Sequence, residues 1–525
     1  MVGVPKSKRC TFCKARKTKC DEKWPTCGAC ARAGKICSGA RNSFKFVVNG
    51  SHNEPTNHAA ITIDLSRIAR DRTSRGQVGG GDLTDDARGG PISRFRWEHI
   101  VLPRPYTAEL RHLPSNPKDR LAARLVGCLE SAPRTGNDLC ILGAFLPLIP
   151  QQLVPGNRAL YSAVELILDS WTSCRRGLPP EQWLDLRAYN RAIRSLNDVL
   201  HDRDPEMIGS TFAAQCLLQK AEILYDFKRG SNQETHGAGL IAVIAGPGLG
   251  WPMTEMTLHV LFEGIYHMLQ EDIRQNRESF FNSPECHSAL FRAIESSHSK
   301  PILKQLYSLW VVTTVWPGLV RLTRLLGEDS TPNKIAVAEV LHARASSLAE
   351  FLQRQEDNII SALVKSGDVA EVDNSHDMAL FPKSYEFRDY LTSRFFNVHA
   401  TVSIIACRAL QEANRISGHY DPTVEEQARR SSKRIWMSFP WLRHQMPLAV
   451  DYTASLAFSY ESGNEEERRY CIEGLRRLEK FRHPPPVGEW VDATIMANTK
   501  AFTGRLPFIK TQDLTVELEG IGCRC

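Results

Sequence analysis

Beyond residue 95, apolar residues recur every three to four positions over most of the chain. In 120–129, RLAARLVGCL, the side chains of Leu121, Leu125, Val126 and Leu129 share one helical face. The same period predicts helices over 160–171, 183–200, 211–227, 256–269, 301–326, 333–352, 385–413 and 431–439, and a charged amphipathic one over 468–481. The breaks between them are turn chemistry: Gly177 with Pro179 and Pro180, Asp202 to Pro205, and Pro484 to Pro486 after the last helix. Runs that alternate Val, Ile and Thr are few, so 95–525 reads as one large all-α helical domain. Residues 41–94 differ. Glycines at 79–81, Gly89-Gly90-Pro91 and scattered Ser, Asn, Asp and Arg predict a flexible linker. Its one apolar patch, Ile61, Ile63, Leu65 and Ile68, alternates briefly like a strand, and no heptad run is sustained over three repeats.

Residues 1–40 break the apolar pattern with cysteines at 10, 13, 20, 27, 30 and 37, spaced C-x2-C-x6-C-x6-C-x2-C-x6-C. Thiols at this density, without a secretory signal before them, point to zinc rather than disulfides. One tetrahedral zinc would leave two cysteines spare. Two zincs need eight ligand positions, which six thiolates fill only when two of them bridge. Each C-x2-C can sit on the first turn of a short helix. The other nine cysteines (128, 140, 174, 216, 286, 407, 471, 523 and 525) repeat no such spacing and read as core or surface thiols.

Charge then adds a partner. Residues 1–37 hold ten Lys/Arg against two acids, a net of +8, whereas the whole chain nets +7, so all the remaining residues together net −1. Six thiolates with two zinc ions would leave the module about +6. A basic module on a near-neutral body is the footprint of nucleic-acid binding, in which cations neutralise phosphates and release counterions. The densest run is KARKTK at 14–19.

The six spacings, that basic run after the second cysteine, Cys20-Asp21, and Pro25 two residues before Cys27 closely resemble the DNA-binding domain of the fungal zinc binuclear cluster transcription factors. The resemblance implies a module of two short helices around two Zn2+. Cys10 and Cys27 would be the bridging thiolates, with Cys13 and Cys20 completing one site and Cys30 and Cys37 the other. It implies that Arg16 and Lys17 read a CGG triplet in the major groove, while Lys14, Lys19 and Arg9 hold phosphates. The body also resembles the large helical regulatory domain of these factors, most locally over 213–249, with Leu217, Leu218 and Glu222 on a helix before His236-Gly-Ala-Gly-Leu240. The function so implied is a nuclear, sequence-specific regulator of RNA polymerase II transcription, governing a metabolic or secondary-metabolite gene set. Its partners would be double-stranded DNA, co-regulators or the transcription machinery, with a homodimer also admitted. The rival reading is a protein-binding adaptor whose zinc is purely structural.

Other chemistry finds little support. H-E-x-x-H, G-x-S-x-G and G-x-x-x-x-G-K-[ST] are all missing, so no enzyme is expected. Gly237-Ala-Gly239-Leu-Ile-Ala242 fits a relaxed dinucleotide fingerprint, but KRGSNQETH before it is no strand; a close-packed helix is the expectation. His236 reads as capping or packing a helix end. The stretch 305–320 is too short, and broken by Pro317, for a membrane span. The acids of 368–381 and 461–467 read as solvated loops in preference to acidic activation segments. Arg41 and Lys45 are weaker candidates for following the DNA backbone.

Overall fold

The computed structural model describes residues 13, 15–21, 27–33, 116–130, 139–153, 157–202, 208–225, 239, 253–374, 380–442, 452–479 and 492–506. The chain divides into two units, Met1–Glu109 and Leu110–Cys525. In the first, Cys13 and Ala15 are helical and lead into a turn, and the short helix α1 (Gly28–Arg32) follows. The predicted linker with its apolar patch, Arg41, Lys45 and His236 all lie outside the described residues.

The second unit is largely helical. It opens with α2 (Pro117–Glu130) and the short α3 (Ile149–Leu153). Three longer helices follow: α4 (Arg158–Arg175), α5 (Leu186–Asp202) and α6 (Ile208–Tyr225). Asn157 caps α4, accepting from the Ala159 and Leu160 amides, and its side-chain amide donates to Thr211 on α6 at 3.0 Å. On α6, Leu217 and Leu218 are buried, and Glu222, also buried, accepts from the Tyr189 hydroxyl of α5. Next come α7 (Glu255–Arg274), α8 (Pro284–Ser296), α9 (Pro301–Thr313), α10 (Trp316–Gly327) and α11 (Lys334–Gln355). The helical signal over 301–326 is thus two helices. Pro317 has no amide to extend α9, and the Thr313 and Thr314 hydroxyls satisfy the carbonyls of Leu309 and Val311 at the break.

The chain then forms a π segment (Glu356–Ile360), α12 (Ser361–Lys365), the strands β1 (Val369–Asp373) and β2 (Lys383–Phe387), and α13 (Tyr390–Ile416). Last are α14 (Pro422–Leu442), α15 (Tyr452–Ser459), α16 (Glu465–Glu479) and α17 (Asp492–Phe502). At 27 residues, or roughly 40 Å, α13 is the spine. Along most of its length it is buried, between α11 and α14. Small Ala, Ser and Thr on α13 let its neighbours approach, and the Thr401 hydroxyl bonds Ser455 on α15 at 2.8 Å. Cys216, Cys407 and Cys471 are buried thiols of this core, and Cys286 is buried on α8.

The all-α expectation needs one correction, the antiparallel hairpin β1–β2, with Val369 opposite Phe387. Residues 385–387 belong to it rather than to a helix. Asp389 explains the later helix start: its carboxylate accepts from the Thr392 amide at 2.8 Å and so caps α13. Phe387 packs edge-on to Trp441 of α14, which anchors a hairpin too small to stand alone. The acids of 461–467 are solvated only at Glu465 and Glu466, and the other two are paired. Glu461 pairs with Arg505 and, at 3.3 Å, with Arg408. Glu467 is buried against Arg429, and with Asn464 it forms a reciprocal capping box at the start of α16. Asp368, likewise, pairs with Arg388 at 2.8 Å.

The deepest ion pairing lies between α6, α7 and α13. Buried Glu263 accepts from Lys220 at 3.2 Å and Arg394 at 2.8 Å. Burial pushes its carboxyl up, but the two cations outweigh that and hold it down to about 2. Among the described residues, no helix is long and apolar enough to cross a membrane.

Candidate zinc centre and nucleic-acid interface

The sulfurs of Cys13, Cys20 and Cys27 all lie within 4.8 Å of one another. Cys13 and Cys27 are buried, and their sulfurs stand 3.6 Å apart. A tetrahedral zinc with Zn–S bonds of about 2.3 Å sets its sulfurs about 3.8 Å apart, so the spacing fits that ion. Cys30 is not part of this trio, and Cys27 caps α1 by accepting from the Cys30 amide at 3.4 Å. Cys10 and Cys37 lie outside the described residues.

The electrostatics favour a cation here. At Cys27 the Cys30 amide pulls the thiol down, but burial and hydrogen bonds with the thiols of Cys30, Cys13 and Cys20 prevail and push it up to about 12. Neighbouring thiols resist ionising together, because each thiolate repels the next. A divalent metal among them reverses that and deprotonates its ligands outright.

Sequence reasoning passed over one pair that holds the module together. The Asp21 carboxylate accepts from the Gly28 amide through both oxygens, at 3.0 and 3.1 Å, tying the segment after Cys20 to the start of α1. A Cβ on Gly28 would sit 2.8 Å from Asp21 Oδ2. The seven-residue separation hides this contact from any local pattern. Replacing Asp21 with Ala removes a cap worth about 1 kcal/mol. Zinc is then expected to leave roughly fivefold more readily in competition with a chromogenic chelator.

Arg16, Lys17 and Lys19 are exposed between the second and third cysteines, whereas Lys14 and Arg9 lie outside the described residues. The Thr18 amide donates to the Cys13 carbonyl at 3.0 Å, closing the turn that carries them. Lys17 at its end has φ +53°, the left-handed conformation that usually belongs to glycine. For a lysine this costs roughly 1–2 kcal/mol. The strain sets the direction in which the Lys17 side chain leaves the module.

The glycine decoy is also settled in part. A Cβ at Gly239 would lie 2.5 Å from the Gln215 side-chain nitrogen, so Gly239 packs against α6, and the rest of 237–242 lies outside the described residues. No curated protein and no solved structure matches this chain. Residues 8–45, however, match the fungal Zn(2)-Cys(6) binuclear cluster domain, which makes this N-terminal segment a zinc-binding, DNA-binding module of the transcription-regulator kind.

Proposed function

We propose that the chain is a nuclear, sequence-specific regulator of transcription that reads CGG-type sites through a two-zinc cluster. The observation that carries this reading is the gathering of Cys13, Cys20 and Cys27 sulfurs inside a segment matching the fungal cluster domain, with cations exposed on the turn between them. Cys27 would be a bridging thiolate in this reading, which its 3.6 Å approach to Cys13 and its hydrogen bond from the Cys30 amide support. Cys10 would be the second bridging thiolate, and Cys37 would complete the second site. Zinc, when bound, supplies the folding energy that so small a core lacks.

In this reading Arg16 and Lys17 donate to guanine O6 and N7 in the major groove, and Lys14, Lys19 and Arg9 hold phosphates. The helical unit receives a signal or recruits co-regulators, and the genes served belong to a metabolic or secondary-metabolite set. No reaction is assigned to it.

Lys17 supplies the test, because its fold cost and its reading role have opposite signs. Lys17→Gly removes the left-handed strain, so zinc retention stays equal or improves. The same change, like Lys17→Ala, removes a base contact worth about 1–3 kcal/mol, roughly 10- to 100-fold in affinity. Fluorescence anisotropy with a CGG duplex and a scrambled one measures both variants against wild type. Equal binding by all three chains would remove Lys17 from the reader. Equal binding of both duplexes by wild type would favour the adaptor reading.

A further inference from the structure

Arg187, Arg191 and Arg194 stand on one face of α5, at i, i+4 and i+7, and all three are exposed. The opposite face, Ala188, Tyr189, Ala192 and Leu196, is buried in the core, so the stripe is held outward. We propose that this stripe is a second contact with the phosphate backbone of duplex DNA, an inference that rests on the DNA-binding reading above.

Three observations carry it. Some exposed arginines of the unit are committed to carboxylates: Arg124 to Asp169, Arg344 to Glu278, Arg388 to Asp368, Arg415 to Glu412. Others, such as Arg120, Arg158, Arg292, Arg321 and Arg354, are exposed without an ion pair among the described residues, but no other described helix sets three such arginines on one face. Among the described residues, no carboxylate is within ion-pair reach of the three in the stripe. Nearby Asp185 is occupied with the Arg187 amide, at 2.8 Å, and Asp198, one turn beyond Arg194, is exposed but not paired.

Second, the chain after residue 37 nets only −1, so the stripe is a local excess and not part of a generally basic surface. Third, the dimensions suit a strand of DNA. Arg187 and Arg194 are about 10 Å apart along the helix. The same length of one strand carries about three phosphates. Guanidinium forks pair with phosphate through two parallel hydrogen bonds. Asn190 and Leu186 are the exposed residues beside the arginines, and a single leucine falls short of the apolar centre a protein partner would use. Because this unit is covalently tied to the cysteine module, a duplex held there raises the local phosphate concentration at the stripe.

The experiment uses the full zinc-loaded chain and a long duplex carrying its preferred site, with binding followed by anisotropy across a salt series. The triple variant Arg187→Gln/Arg191→Gln/Arg194→Gln is compared with wild type. Loss of three phosphate contacts makes the log affinity against log salt slope shallower by about 2 to 3. Affinity near physiological salt falls at least tenfold, while site preference and melting temperature stay the same. Should the triple variant melt early, Arg191→Gln alone is expected to change the slope by about 1. An unchanged slope in a wild type that still selects its site overturns the stripe alone. A wild type that binds zinc but no DNA overturns the DNA-binding reading, and the stripe with it. If the variant keeps its DNA slope but loses binding to polyglutamate, the face belongs to an acidic protein and the DNA contact is wrong.

Discussion

Stripping zinc from the chain with a chelator is expected to unfold the N-terminal module, abolish DNA binding, and leave the helical unit folded. The asymmetry follows from where each unit gets its stability. Among the described residues, the buried apolar cluster of the N-terminal unit is Cys13, Cys27 and Cys30, with Cys20 and Ala29 packed against it. Structural zinc supplies about 10–16 kcal/mol to peptides of this kind, more than such a cluster yields. The helical unit instead has a continuous core running from Leu121 to Ile495. Thiol labelling should therefore turn from slow to fast at the cluster cysteines, while buried Cys216, Cys407 and Cys471 stay protected and far-UV circular dichroism changes little. The pH dependence has a definite sign. Ligand thiols must lose protons to bind zinc, and with Cys27 pushed up to about 12 before metal binds, protons compete strongly. Zinc affinity should fall steeply as pH is lowered from 8 to 5, with proton release on binding measurable by calorimetry in buffers of different ionisation enthalpy. Fast labelling of the cluster thiols in the zinc-loaded chain would contradict the account.

Glu263→Gln should be the most damaging single charge change in the helical unit. It leaves Lys220 and Arg394 facing a neutral amide at a site that Glu263 now neutralises, and breaking such a pair costs about 3–5 kcal/mol. The direction with pH is fixed as well. Glu263 is held down to about 2 in the folded chain, below the usual value of about 4.3. Its contribution is complete above the usual value and is lost as pH falls from there toward 2. Denaturation by urea between pH 7 and pH 3 measures both effects. The variant's midpoint should be lower at pH 7, and the gap to wild type should narrow toward pH 3. A second change, Arg394→Met, should recover part of the loss, because the two sites are coupled. A variant as stable as wild type at pH 7 would show that the pair adds nothing.

The legible parts of the chain were those with a repeating physical cause. Helices such as α4 and α11 carry apolar stripes at 3.6-residue spacing, and the structure has them close to the expected bounds. Where that reading slipped, a local rule competed with periodicity. Pro317 split one apolar run into α9 and α10, and Asp389 started α13 later than Tyr385 suggested. The hairpin was hidden because its strands are five residues each and its cross-strand partners are far apart in sequence. Glu461 and Glu467 looked like loop acids because their partners, Arg505, Arg408 and Arg429, are tens of residues away. At the zinc centre, six fixed spacings announced the metal. The Asp21–Gly28 tie and the left-handed backbone of Lys17 came only with coordinates, since neither follows from spacing.

The central claim is that the cysteine module reads DNA sequence, and the most direct measurement is selection of bound DNA from a random pool by the full zinc-loaded chain. The account predicts enrichment of one or two CGG triplets, lost in Lys17→Ala. A chain that holds zinc yet enriches no sequence would contradict it and turn the search toward a protein partner.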